Sequence, residues 1–490
     1  MKVSTIFLAA LGAAVALAAP TEKRGANDTE KAVIGYFEPL SGFPIEKLNF
    51  KKYTHINYAF GYMYKGAPDP YTIYVDYAVE GPKIKELVRR GKANGVKIIF
   101  SVGGWWGSQT FSEVARDPVR RKKWVESAMV FLRPNTLGDD APIPNGWDMD
   151  GLDIDWEFPG TPGASCNTWA SDDTANYLLL LKETRAQMDL EFPNNYKTIS
   201  SAVGTIPWAG PDRYPLRDVR PFLPVFDWLN VMMYDVHGPT WGTPAQPGST
   251  GPNAPVFTPP NRNHGSASEG VYTWTQAGWP KDRITMGTPF YGRAFTATVN
   301  MNTQNPISQY GPQTGVAPKG GPLDSNASFP LCVEPEQYWG FWNWHEIREH
   351  ILTNDQNLLE PVAGWTRYWD NDTKTPWMFR ESDKMFISYD DPTSMSLKVD
   401  FARYHGLKGV FMWESQMDYK EELLTVLTQI HCSSAACICR DVPKWDPAKV
   451  YAQPNTKVTY NGHLWTNKWW SRGETPQGTS WGAWKDGGAC

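Results

Sequence analysis

From residue 31 onward the chain repeats one pattern eight times: a short β-rich run followed by a longer polar or helical stretch. The runs occupy 32–36, 55–60, 97–102, 151–156, 198–203, 228–234, 283–290 and 409–413. Helical spacing of apolar residues fills 83–94, 118–132, 174–189 and 394–405, and a last helix at 421–431 closes the series. Strands separated by helices pair in parallel, because a parallel neighbour needs a crossover long enough to return along the sheet. Eight such units predict an α/β chain folded as a (β/α)8 barrel, whose reacting groups gather at the C-terminal ends of the strands.

The fourth run carries an unusual load. Residues 150–157 read Asp-Gly-Leu-Asp-Ile-Asp-Trp-Glu, with four acidic side chains in eight positions. In a strand, Gly151, Asp153, Asp155 and Glu157 share one face and Leu152, Ile154 and Trp156 the other. Crowded carboxylates in a buried place raise one another's pKa, which keeps a carboxylic acid protonated near neutral pH. Two plainer readings stand beside this one. As a helix, Asp150, Asp153 and Glu157 would form a solvated face. As a calcium loop, Asp148, Asp150, Asp153 and Asp155 supply hard oxygen ligands, although their spacing departs from the EF-hand pattern. Other strand ends add Tyr36, Ser101 with Gly103-Gly104-Trp105, Tyr234-Asp235, Tyr291 with Arg293, and Trp413-Glu414.

The flanks set the context. Residues 1–19 read as a secretory signal peptide, and Lys23-Arg24 closes a short propeptide over 20–24, so a secreted, extracellular protein is expected. The barrel is assigned to 25–432. Between runs seven and eight, residues 294–380 are too long and too rich in tryptophan for a simple helical link, and are expected to form an inserted subdomain walling a groove. After a linker at 433–442, residues 443–490 read as a small β module. Six cysteines in an oxidising compartment imply disulfides, with Cys490 expected to tie back to the cluster at Cys432 to Cys439. A formal charge of -5 lacks the basic footprint of a nucleic-acid or membrane binder. Neutral partners, no metal, no cofactor and a monomer are expected.

These residues resemble the glycoside hydrolase family 18 chitinases. The family's Asp-x-x-Asp-x-Asp-x-Glu motif is complete at Asp150, Asp153, Asp155 and Glu157, and Ser101-Val102-Gly103-Gly104-Trp105, Met232-Met233-Tyr234-Asp235, Tyr291-Gly292-Arg293 and Trp413 resemble its motifs on strands three, six, seven and eight. The resemblance implies hydrolysis of β-1,4 bonds between N-acetylglucosamine units, with chitin and chitooligosaccharides as partners. Glu157 would be the general acid, Asp155 the group that holds the substrate's 2-acetamido N–H, Asp153 its proton-sharing neighbour and Tyr234 the donor to the acetamido carbonyl. Trp413 would floor the subsite and Trp105 stack in an aglycone subsite, with Met232, Asp235, Tyr291 and Arg293 contacting sugar. Tyr36 would touch sugar or, with Ser101, support Asp150 and Asp153. The C-terminal segment resembles the chitin-binding modules of carbohydrate-binding families 5 and 12, which assigns Trp465, Trp469 and Trp470 to chitin. Two other activities fit the same residues: cleavage of N-glycan cores by an endo-β-N-acetylglucosaminidase, and chitin binding without catalysis by a lectin.

Overall fold

The computed structural model describes residues 30–490 apart from 40–41, 138–144, 241, 244–245, 260–264, 327–331, 333–335, 356, 433–438, 440–441, 480 and 490. The expected signal peptide and propeptide, most of the linker, and Cys437 and Cys490 lie outside the described residues.

Eight parallel strands close into a barrel: Ala32–Phe37, His55–Gly61, Lys97–Gly103, Gly151–Asp155, Thr198–Val203, Trp228–Val231, Ile284–Pro289 and Gly409–Trp413. They follow one another around the ring in chain order, as the alternation predicts. Side-chain parity explains why these segments are strands. In the fourth, Leu152 and Ile154 point out into the apolar layer under the helices, with Trp156 just beyond its end. Ala32, Ile34 and Tyr36 of the first strand and Phe411 of the eighth point inward and fill the barrel with Phe60 and Trp228. The register sets Asp153 level with Ser101 on one side and Ser200 on the other. A polar layer therefore crosses the middle of an otherwise aromatic interior.

Two of the element boundaries that differ from expectation do so for local reasons. The first long helix, Tyr77–Asn94, starts earlier than 83, because Asp76 caps it by accepting the N–H groups of Ala78 and Val79. It ends where Gly95 takes the left-handed conformation, at φ 69°. The sixth strand ends at Val231 instead of Tyr234; Met232 still donates its N–H to the Val203 carbonyl, but regular pairing has stopped.

The inserted subdomain is a five-stranded antiparallel sheet in the order Phe341–Asn343, Tyr291–Thr296, Met385–Ser388, Thr375–Arg380 and Trp365–Asp370. It reaches beyond 294–380 at both ends, because the strand from Tyr291 leaves the seventh barrel strand after Phe290 alone. Trp342, Trp344, Trp365 and Trp377 are buried in this region, so most of its tryptophans build a core and do not line a groove.

The C-terminal residues form a two-stranded and a three-stranded antiparallel sheet around Tyr451, Val458, Trp465, Ala483 and Trp484. Its hairpin turns at Asn461-Gly462, both at positive φ (48° and 74°), the conformation that a two-residue turn requires and that Asn-Gly tolerates. One disulfide joins Cys166 to Cys332. Cys432 and Cys439 are also disulfide-bonded; the expected tie from Cys490 lies outside the described residues. No helix among the described residues is long and apolar enough to cross a membrane.

Candidate active site

Asp153 sits at the bottom of the site, fully buried. Its Oδ2 accepts the hydroxyls of Tyr36 and Ser101, both at 2.7 Å, and its Oδ1 accepts Ser200 Oγ at 2.7 Å and Asn230 Nδ2 at 3.0 Å. Burial pushes the Asp153 carboxyl up while these four donors pull it down. Both oxygens are occupied by donors from other residues. The charge of Asp153 is in turn one of the causes that raise the neighbouring Asp155 carboxyl. Strand parity puts Asn230 on the face of Met232 and Tyr234, but that Asn230 and Ser200 reach Asp153 depends on how the strands pair.

Asp155 lies above, and its environment is the opposite. It is 4% exposed and its Oδ1 has no hydrogen-bond partner. Burial, then the charges of Glu157 and Asp153, hold its carboxyl well above the usual range. Glu157, next on the same face, is pushed up to about 8 by burial and by the charge of Asp235. The main chain around them is held by glycine. Gly104 donates its N–H to the Asp155 carbonyl at 2.8 Å, and this approach is open only because Gly103, at φ 120°, has no Cβ.

The remaining expected residues gather around this pair or are spent elsewhere. Tyr234 is half-buried, its phenol raised by burial and by the charges of Tyr291, Asp155, Asp235 and Glu157. Asp235, at φ 55°, accepts the Tyr291 hydroxyl at 2.7 Å and Arg293 Nε at 2.9 Å, so these three bond to one another. Trp413 lies flat on Phe60 with ring centroids 5.6 Å apart, and Met232 packs partly buried in the same inner cluster. Trp105 stands at the rim, 39% exposed, its carbonyl held by Asn167 Nδ2 at 2.8 Å. The same amide reaches the Glu157 carbonyl at 3.2 Å, a link that no sequence pattern marked.

Of its two expected roles Tyr36 takes the supporting one: it is 1% exposed and spends its hydroxyl on Asp153, so it lies under the site. Two residues do not take their expected positions. Asp150 is not supported by Tyr36 or Ser101. At the far end of the strand it pairs with Lys97 at 2.9 Å and accepts the Ile98 N–H at 3.0 Å, which locks the third and fourth strands together. Trp465 is 7% exposed and donates its Nε1 to the Tyr460 carbonyl within the module core; Trp469 and Trp470 are exposed, and so is Trp481, at 90%. Among the described residues no cluster of His, Cys, Asp and Glu is arranged to hold a metal. Neither a calcium loop nor a helix describes residues 150–157, which begin as a barrel strand.

The closed barrel with carboxyls gathered at the C-terminal end of its fourth strand is the frame in which comparison with known proteins places the chain. The model of the glycosyl hydrolases family 18 matches residues 32–418, and the chain belongs to this family. It is 32% identical over 394 residues to a chitinase-like effector of Moniliophthora roreri, covering 78% of this chain and 88% of that protein. It is 28% identical over 349 residues to Chitinase A1 of Niallia circulans, covering 69% of this chain and 43% of that protein. A crystal structure of a chitinase from Rhizomucor miehei superposes with a TM-score of 0.69 at 27% identity, covering 82% of this chain and all (100%) of that one.

Proposed function

We propose that this protein is a secreted chitinase that cleaves β-1,4 bonds between N-acetylglucosamine units with net retention, using the substrate's own acetamido group as nucleophile. One observation carries the reading: a buried Asp155 oxygen without a partner beside a Glu157 carboxyl raised to about 8. A retaining glycosidase with its own nucleophile needs a second free carboxylate about 5 Å from the acid. Asp155 is too deeply buried for that role and is suited to accepting a hydrogen bond. Glu157, protonated at neutral pH, gives its proton to the glycosidic oxygen. The acetamido carbonyl attacks the anomeric carbon while its N–H donates to Asp155, which favours the ionised carboxylate and balances the positive oxazolinium ion. Tyr234 donates to the acetamido oxygen and fixes its angle of attack. Water, deprotonated by Glu157, then opens the ring.

A non-catalytic reading has its own support, because relatives at 32% and 30% identity are named chitinase-like effectors. The complete Asp153, Asp155 and Glu157 set favours the enzyme. Glu157→Gln is expected to lower chitohexaose hydrolysis by about 10³-fold or more while leaving binding within about threefold. Product analysis and titration calorimetry check this; turnover near wild type would refute the assignment.

A further inference from the structure

Glu157 lies past the end of its strand, where the main chain has run out of ladder: pairing stops at Asp155 toward the third strand and at Ile154 toward the fifth. Its N–H and its carbonyl need other partners. Two side chains supply them. Ser108, fully buried in the segment after the third strand, accepts the Glu157 N–H on its Oγ at 3.1 Å, and the same hydroxyl lies 3.0 Å from the Asp155 carbonyl and 2.9 Å from that of Gly104. Asn167, in the segment after the fourth strand, donates its Nδ2 to the Glu157 carbonyl at 3.2 Å. That segment is built against this carbonyl, since a Cβ on Gly163 would lie 2.0 Å from its oxygen. The two arms also hold each other. Thr168 donates its N–H at 3.1 Å and its hydroxyl at 2.7 Å to the carbonyl of Gln109, the residue after Ser108.

We propose that Ser108 and Asn167 are positioning residues for the acid: they clamp the peptide groups on either side of Glu157 and so fix where its carboxyl points. This inference rests on the reading of Glu157 as the general acid and deepens it by naming what holds that acid in place. A proton donor works only within hydrogen-bond reach of the oxygen it protonates, so a main chain free to turn there impairs proton transfer before it impairs sugar binding. Both residues act through Glu157, Ser108 from full burial and Asn167 with its amide spent on the Glu157 and Trp105 carbonyls.

The leaving group separates this role from a merely structural one. A chitotetraose fragment leaves as a sugar hydroxyl and needs the proton, whereas the dinitrophenolate of 2,4-dinitrophenyl chitobioside leaves without it. The quantity compared is kcat/KM, which reports the steps through the first bond cleavage, before Glu157 returns as base. Ser108→Ala and Asn167→Ala are each expected to lower it by about tenfold or more on chitotetraose and by less than about threefold on the dinitrophenyl substrate, with KM for chitotetraose within about twofold of wild type. Equal losses on both substrates, or no loss on either, overturn the clamp. If Ser108→Ala does not fold, Asn167→Ala, at a half-buried position, decides alone. Glu157→Gln is run beside them. Wild-type turnover of chitotetraose by that variant overturns the general-acid reading itself; a selective loss in it without one in the other two overturns only the clamp.

Discussion

Asp153 and Glu157 belong to one strand and its extension, and lie four residues apart, yet their surroundings differ. Asp153 is buried with four donors, whereas among the described residues none donates to the Glu157 side chain, which faces the charge of Asp235. Placing an acid where its charged form is disfavoured costs stability. Between its ordinary value of 4.5 and about 8, the unfolded chain has lost the Glu157 proton and the folded chain still holds it. Stability therefore falls as pH rises through that window. Glu157→Gln removes the cost and is expected to stabilise the protein by on the order of 1–2 kcal/mol at pH 7.5, with no gain at pH 4. Thermal unfolding at the two pH values checks this. A gain that was equal at both, or absent, would show that Glu157 is not held protonated.

At the scale of the element, the third strand's glycines decide whether the acids are presented at all. An added Cβ at Gly103 would lie 2.1 Å from the Asp155 carbonyl oxygen, a backbone atom that cannot rotate away, and φ 120° disfavours any side chain there. Gly103→Ala is expected to cost about 2–4 kcal/mol and to lower turnover more than binding, because Asp155 moves. Denaturant unfolding beside steady-state kinetics tests both parts, and a wild-type melt with normal turnover would refute them. The glycine pair was visible in the sequence as part of a resemblance, but its physical role was not. The close approach of one strand to the next carbonyl exists only once the strands are paired.

At the scale of the molecule, the C-terminal module is not simply tethered. Lys457 reaches Asp400 at 2.5 Å on the helix Pro392–Tyr404. The amide oxygen of Gln453, turned toward Arg367, adds a third acceptor to a guanidinium that already binds Asp391 at 2.6 Å and Tyr389 at 2.8 Å. Arg367 and Gln453 are both nearly fully buried, so losing that acceptor leaves donors unsatisfied. Gln453→Ala is expected to destabilise the protein by about 1–2 kcal/mol and to make residues 443–490 more sensitive to protease. A melt and digestion pattern unchanged from wild type would mean that the docking contributes nothing.

Much was legible in the linear chain because strand periodicity is local. The eight runs, the face shared by Asp153, Asp155 and Glu157, and the small β module at 443–490 follow from alternation within a few residues. What depended on distant segments was not legible. The four donors on Asp153 come from four different strands, Trp342, Trp344 and Trp365 of the insert are buried in the main core shared with the barrel, and Trp465 turns inward while Trp481 turns out. The sequence by itself determined that carboxyls would crowd one face of a barrel strand. Only the tertiary structure decided which of them is satisfied and which is left without a partner, because burial and hydrogen bonding are set by residues far away in the chain.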